Sequence, residues 1–234
     1  MQTKKELQNL GATVTEDFKP SFSRRKFLGY AGASTALFST IVSSCKKYDP
    51  MECGEGIDLG SGDIGVLNYA YALEQLEAAF YTQVVLTPYD AKCMDMFYLK
   101  QIRDHEIVHR EFFKNALGSS AIPALEVDFS SINFKSRESV LQTAKAFEDL
   151  GVSAYNGAGP LLVSPDYLTL AGKIVSVEAR HAAFIRDLLE NNSFAGPDVI
   201  DANGLDVSRP PHQVLMIAGK YIKTKLNSNH LPSF

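Results

Sequence analysis

Apolar residues recur at helical spacing along four long segments of the chain, and glycines or prolines interrupt the pattern between them. This periodicity predicts four amphipathic helices. The predicted helices cover residues 63–86, 89–117, 136–157 and 165–191. Asp63 is predicted to cap the first of them, and a shorter fifth helix is predicted over 214–226. The sequence therefore predicts an all-α four-helix bundle over 63–191, followed by a loop and a short helix in 192–234.

The second and fourth predicted helices carry the same short motif, Glu-x-x-His. The residues of its two copies are Glu106, His109, Glu178 and His181. Each residue of the second copy lies 72 positions after its counterpart. The first and third helices also align, with Glu148 lying 74 positions after Glu74. The bundle is therefore predicted to consist of two repeated helix hairpins, each with one Glu on its first helix and one Glu-x-x-His on its second.

The Glu-x-x-His residues lie in phase with the apolar stripes of their helices, which predicts that they are buried. Residues at i and i+3 project from one helix face, so both side chains of a motif can reach the same site. Four carboxylates balance two divalent cations, and each imidazole adds one nitrogen ligand. We therefore predict a dinuclear site for two iron or manganese ions, since these residues include no thiolate. Buried salt bridges among the same side chains are the alternative.

Three further side chains near the predicted site have open roles. Glu77 lies on the same helix face as Glu74. It could be the metal ligand in place of Glu74, an additional ligand, or an acid that contacts a ligand; the repeat alignment favours Glu74 as the ligand. Tyr81 and Tyr155 lie one to two turns from the acids. They are either aromatic residues of the core or hydrogen-bonding partners of the site.

A second motif overlaps the first Glu-x-x-His. His105, Glu106 and His109 form the sequence H-E-x-x-H, which is typical of zinc proteases. His105 is out of phase with the apolar stripe, and the second copy of the repeat has Val177 at its position. A zinc hydrolase is therefore a minor alternative to the dinuclear site.

The first 44 residues have the character of an export signal. Arg24 and Arg25 precede Phe-Leu as in a twin-arginine signal, and an uncharged segment rich in small residues follows. This segment ends in Val-Ser-Ser-Cys, which is similar to a bacterial lipobox and predicts lipidation of Cys45. We therefore predict a signal peptide over 1–44, a tether over 45–62, and a lipoprotein anchored to the membrane in the periplasm or cell envelope.

Three segments of the chain resemble bacterial ferritin-like proteins of the desiccation-associated group. They are LEQLEAAFY at 73–81, AFEDLGVSAYNGA at 146–158 and VEARHAA at 177–183. The resemblance extends over residues 63–191. It implies a ferritin-like bundle with a dinuclear metal site, and it implies little about the reaction.

Composition and charge narrow the range of partners. The formal charge of −4 argues against a nucleic-acid-binding protein, which needs a basic surface. Three cysteines are too few for a disulfide scaffold, although Cys53 and Cys93 could pair outside the cytoplasm. The predicted partners are metal ions, a small oxidant, the membrane through Cys45, and a second copy of the chain in a homodimer. The predicted function is redox chemistry on dioxygen, peroxide or ferrous iron; a non-catalytic protective or binding protein of the cell envelope is the alternative.

Overall fold

A computed structural model describes residues 55–90 and 93–233 of the chain. The predicted signal peptide, Cys45 and Cys53 lie outside these ranges, so the export, lipidation and disulfide predictions stay predictions. Five α-helices and two short strands are present in the described residues. They are β1 (Ile57–Asp58), α1 (Gly62–Leu86), α2 (Met94–Leu117), α3 (Arg137–Ala158), α4 (Pro165–Leu189), α5 (Pro211–Ala218) and β2 (Leu226–Asn227). Single 3-10 turns, Gly118–Ser120 and Gly159–Leu161, follow α2 and α3.

The four long helices pack as two hairpins, α1 against α2 and α3 against α4. Contacts between α1 and α3 join the two hairpins. This architecture confirms the predicted all-α, ferritin-like bundle with an additional short helix. Among the helices in the described ranges, none has both the length and the apolar character that a membrane span requires.

Helix α1 is buried on all sides, whereas its sequence predicted an amphipathic helix with one solvent face. Of its 25 residues, 17 are buried. Two side-chain amides on α1 explain how this is achieved. Asn68 donates to the carbonyls of Leu59 and Ser120 and accepts from the amide of Ile122. Because a buried backbone polar group needs a partner, this side chain allows the connection after α2 to cover α1.

Gln75 repeats this arrangement two turns further along α1. Its Nε2 donates to the carbonyl of Pro123, and its Oε1 accepts from the amide of Leu125 at 2.9 Å. The loop between α2 and α3 is therefore bound to the bundle by polar contacts as well as by its apolar residues. Helix α1 becomes the central helix of the fold as a result.

The helix boundaries differ from the prediction at two places. Helix α2 begins at Met94 rather than near residue 89, with Cys93 as its N-cap. Helix α5 spans 211–218 instead of 214–226, because Pro211 occupies its first turn and Gly219 follows its last residue. The segment after α5 is extended and returns to the start of the bundle.

The returning C-terminal segment pairs with residues that sequence analysis placed in the tether. Strand β2 runs parallel to β1, with Ile57 opposite Leu226 and Asp58 opposite Asn227. Leu59, next along the chain, is fully buried. The described end of the predicted tether therefore packs on the bundle.

Asp63 has a different role from the predicted cap of α1. The N-cap of α1 is Ser61, and its side chain makes no capping hydrogen bond. Asp63 instead accepts from the backbone amides of Val163 and Ser164, at 2.7 and 2.9 Å. This carboxylate thus joins the start of α1 to the connection between α3 and α4.

The close approach of α3 to residues 207–209 generates a stability prediction. A Cβ added at Gly157 would lie 1.8 Å from the carbonyl oxygen of Arg209. The Arg209 amide also donates to the Ser153 carbonyl at 3.0 Å. Gly157→Ala is therefore expected to reduce the free energy of unfolding by about 1–3 kcal/mol, because residues 207–209 must move away from α3. Urea unfolding measures this change.

Gly172 on α4 provides the matched control for this substitution. A Cβ added there meets no atom within 4 Å. Gly172→Ala is expected to raise the free energy of unfolding by about 0.5–1 kcal/mol through helix propensity. Equal effects of the two substitutions would contradict the steric explanation.

Candidate metal centre

Each long helix contributes to one cluster of buried polar side chains in the middle of the bundle. The cluster consists of Glu74 from α1, Glu106 and His109 from α2, Glu148 from α3, and Glu178 and His181 from α4. The four glutamates are each 0 % exposed, and the two histidines are nearly as buried. The structure therefore brings together all six residues that the repeated motifs predicted.

The cluster contains two overlapping groups of potential ligands. The first group is Glu74, Glu106, His109 and Glu178, and the second is Glu106, Glu148, Glu178 and His181. Within each group, ligand atoms lie within 4.8 Å of one another. Glu106 and Glu178 belong to both groups. They therefore form the shared centre of the cluster, with one further carboxylate and one imidazole on either side.

The two histidines face the shared carboxylates in a similar way. His109 Nδ1 lies 2.8 Å from Glu178 Oε1 and 3.5 Å from an oxygen of Glu106. His181 Nδ1 lies 2.8 Å from Glu106 Oε1 and 3.6 Å from Glu178 Oε2. Each imidazole is thus closest to the shared glutamate of the opposite hairpin. The approximate two-fold repeat of the sequence is preserved in the geometry of the site.

The terminal carboxylates complete the two groups. Glu74 Oε2 lies 3.5 Å from His109 Nδ1, and Glu148 Oε2 lies 3.4 Å from His181 Nδ1. Ligands around one ion at about 2.1 Å are about 3 Å apart when they occupy neighbouring octahedral positions. The observed separations between nitrogen and oxygen are close to that value.

The potential ligand atoms are close together but do not form aligned hydrogen bonds. Eight buried atoms of the cluster have no hydrogen-bond partner: Oε2 of Glu74 and Glu148, both carboxylate oxygens of Glu106 and Glu178, and Nδ1 of His109 and His181. Unpartnered buried polar atoms are costly and call for an explanation. A pair of divalent cations would supply a partner to every one of them. The residues present therefore fit a dinuclear metal site.

Two tyrosines hold the remaining oxygens of the terminal carboxylates. Tyr81 donates to Glu148 Oε1 at 2.5 Å, and Tyr155 donates to Glu74 Oε1. Burial, followed by the charges of Glu148 and Glu74 respectively, raises the pKa of each phenol well above its usual value, so both stay protonated. Each tyrosine is on the hairpin opposite its glutamate. They fix the orientation of the terminal carboxylates, and they are both core aromatics and partners of the site.

Glu77 lies beside the cluster and outside both ligand groups. It is buried, and a Cβ added at Gly151 would lie 3.1 Å from its Oε1. Gly151 is its counterpart in the repeat, so the missing side chain on α3 makes the space for Glu77. Burial, then the charges of Glu178 and Glu106, raise the pKa of Glu77 well above its usual value. Its surroundings therefore favour the protonated, neutral form of this carboxyl group.

The charges within the cluster are strongly interdependent. Burial raises the pKa of Glu106 to about 8, with the charge of Glu178 as the next cause. For Glu178, burial is outweighed by the two histidines, which lower its pKa to about 2. Burial lowers the pKa of His109, but the surrounding carboxylates outweigh it and raise that pKa to about 12. Burial also lowers the pKa of His181, but Glu148 and the other carboxylates outweigh it and raise that pKa well above its usual value. At neutral pH the imidazolium rings of His109 and His181 therefore compensate part of the negative charge when no metal is bound.

His105 lies at the surface and outside both ligand groups. Its Nδ1 is 2.9 Å from Nε2 of His181, so it contacts a histidine of the other hairpin rather than joining His109 in a zinc site. Of the H-E-x-x-H residues, Glu106 and His109 thus belong to the ligand groups and His105 does not. Sequence reasoning missed this contact, although the change from His105 to Val177 between the repeats marked the position as unusual.

A surface depression gives access to the histidine side of the cluster. Its volume is about 260 Å³. It is lined by His105, Val108, His109, Val177, Arg180 and His181. Both histidines of the cluster thus line a depression that is open to solvent.

The ferritin-like domain family matches residues 62–191, which is more than half of the chain. The chain therefore belongs to the ferritin-like domain family. The matched range begins with α1 and ends just after α4, so it contains all six residues of the cluster. Comparison with curated proteins gives no significant match.

The protonation of His109 generates a prediction about pH. Since its pKa is raised to about 12, its proton competes with a metal ion at pH 7, and a rise in pH weakens that competition. We expect Mn²⁺ affinity to increase between pH 6 and pH 8, with about two protons released per fully loaded chain, one from His109 and one from His181. Calorimetry in buffers of different ionisation enthalpy measures this release. Binding without proton release would contradict the assigned protonation state.

Proposed function

We propose that this protein binds two iron or manganese ions and uses them in redox chemistry on dioxygen or peroxide. The ligands would be Glu74, Glu106, His109, Glu148, Glu178 and His181. The observation that carries this proposal is the set of eight unpartnered, buried ligand atoms in two overlapping groups. A buried salt-bridge network is a weaker explanation, because such a network is favourable only when hydrogen bonds satisfy its charged groups.

The donor set favours iron or manganese over other metals. Four carboxylates and two imidazoles are ligands for hard and borderline ions, whereas copper(I) and structural zinc sites commonly include thiolates. Four carboxylates balance the charge of two divalent ions. When bound, such a pair would supply two electrons to an oxidant, one from each ion.

The protein side chains have distinct roles in this proposal. Glu106 and Glu178 would be shared by the two ions, since each belongs to both groups. Tyr81 and Tyr155 orient the terminal carboxylates by donating to their outer oxygens. Glu77 would hold a proton next to the cluster. The buried surroundings exclude water from these groups and strengthen their electrostatic interactions.

The depression beside the cluster is compatible with a small oxidant as the substrate. Of the described residues that line it, Val108 and Val177 are apolar and Arg180 is cationic. Small neutral molecules such as dioxygen and hydrogen peroxide can enter a depression with such a lining.

The proposal includes an envelope location for this chemistry. Its support is the sequence around Arg24 and Arg25 and the Val-Ser-Ser-Cys segment that ends at Cys45. Twin-arginine export suits a protein that must fold around its metal before it crosses the membrane. A lipid on Cys45 would then anchor the bundle, and a homodimer would be compatible with this anchoring.

The shared position of two carboxylates generates a prediction about metal content. The full chain, purified without a metal-affinity tag, is expected to contain about two iron or manganese ions by elemental analysis. Glu106→Gln and Glu178→Gln are each expected to lose both ions, because both groups lose a ligand. Glu74→Gln and Glu148→Gln should each lose about one.

Glu138→Gln is the matched control, because Glu138 is an exposed glutamate on α3. It should keep both ions. Failure of the wild-type chain to bind iron or manganese under any loading condition would overturn the proposed site. Loss of one ion in every variant would contradict the shared role of Glu106 and Glu178.

The redox step is tested by mixing the ferrous-loaded chain with dioxygen or hydrogen peroxide and following its absorbance. We expect oxidation in the wild-type chain and none above background in the Glu106→Gln variant. A chain that binds two ions but reacts with neither oxidant would instead support a non-catalytic binding or protective role.

A further inference from the structure

We propose that His105 is a positioning residue that orients His181 for metal binding and makes the two halves of the site unequal. This inference rests on the proposed metal site. It concerns a side chain that belongs to neither ligand group and that lies at the protein surface.

The contact between the two imidazoles has a defined direction once His181 binds metal. Nδ1 of His181 faces the carboxylates, 2.8 Å from Glu106 Oε1, while its Nε2 lies 2.9 Å from Nδ1 of His105. A ring nitrogen that binds metal carries no proton. The proton of His181 must then be on Nε2, which donates to His105. The two ring planes are within 12° of parallel, and their centroids are 5.1 Å apart.

The other half of the site has no equivalent contact. The 72-residue displacement that relates His109 to His181 relates His105 to Val177. Val177 and His109 line the same depression as His105 and His181, so the positions correspond in space as well as in sequence. A valine side chain cannot accept a hydrogen bond. His109 faces the carboxylates through Nδ1, 2.8 Å from Glu178 Oε1, and the residue at position 177 offers its outer nitrogen no acceptor.

The consequence is a difference in affinity between the two metal positions. A hydrogen bond to the outer nitrogen of a ligand histidine fixes its tautomer and its ring orientation, and loss of such a partner lowers metal affinity by about 10–100-fold. We therefore expect the position next to His181 to bind more tightly than the position next to His109.

The test is a Co²⁺ titration of the full chain, followed by visible absorption with a competing chelator. The wild-type chain should show two binding steps of unequal affinity.

Three variants test the role of the residue at the His105 position. His105→Leu should weaken the tighter step about 10–100-fold. His105→Asn should restore it, because Oδ1 of asparagine occupies nearly the same place as Nδ1 of histidine and accepts the same hydrogen bond. Val177→His should strengthen the weaker step.

A second measurement separates orientation from a general structural effect. The ¹⁵N chemical shifts of the histidines in the Zn²⁺-loaded chain should identify Nε2 of His181 as the protonated nitrogen. The change in its chemical shift that the hydrogen bond causes should be lost in His105→Leu and retained in His105→Asn. Unchanged unfolding temperatures would show that the variants fold, as expected for an exposed residue.

The outcomes distinguish this inference from the proposed function. A wild-type chain that binds no Co²⁺ or Zn²⁺ would overturn both. Two binding steps that His105→Leu leaves unchanged would overturn the role of His105 alone. Equal weakening of both steps, without rescue by His105→Asn, would also overturn it.

Discussion

The structure depends on the burial of four carboxylates within a few ångströms of one another. Glu74, Glu106, Glu148 and Glu178 are fully enclosed, and an uncompensated buried carboxylate is among the most costly groups in a protein. Without metal, protons and the two imidazolium rings must compensate their charge, and eight buried atoms still lack hydrogen-bond partners. Two divalent cations would remove both penalties. Metal binding is therefore expected to be coupled to the stability of the whole bundle.

The bundle is built so that this cluster can be placed at its centre. Helix α1 contributes Glu74 and is surrounded on every side, which is feasible because Asn68 and Gln75 satisfy the backbone of the loop that covers it. Tyr81 and Tyr155 cross between hairpins to hold the terminal carboxylates. The packing of the two hairpins and the geometry of the site are thus determined by the same contacts.

The helices and the six cluster residues could be predicted because periodicity and an internal repeat encode them. Two copies of Glu-x-x-His, in phase with apolar stripes, indicate which faces meet. The enclosed state of α1 could not be predicted, because it depends on a loop whose path is determined by single amide side chains. The pairing of Ile57 with Leu226 depends on contacts between distant segments, and no local pattern specifies it.

The departures from the repeat are as informative as the repeat itself. Glu77 has Gly151 as its counterpart, and the glycine leaves the space that the glutamate occupies. His105 has Val177 as its counterpart, and the histidine places a ring nitrogen 2.9 Å from a cluster imidazole. Both departures lie directly beside an otherwise two-fold arrangement of ligands. A symmetric site would offer two ions equivalent surroundings, whereas Glu77 and His105 would give the two positions different neighbours. The repeat is thus retained at the six cluster residues and broken at two side chains that lie beside them.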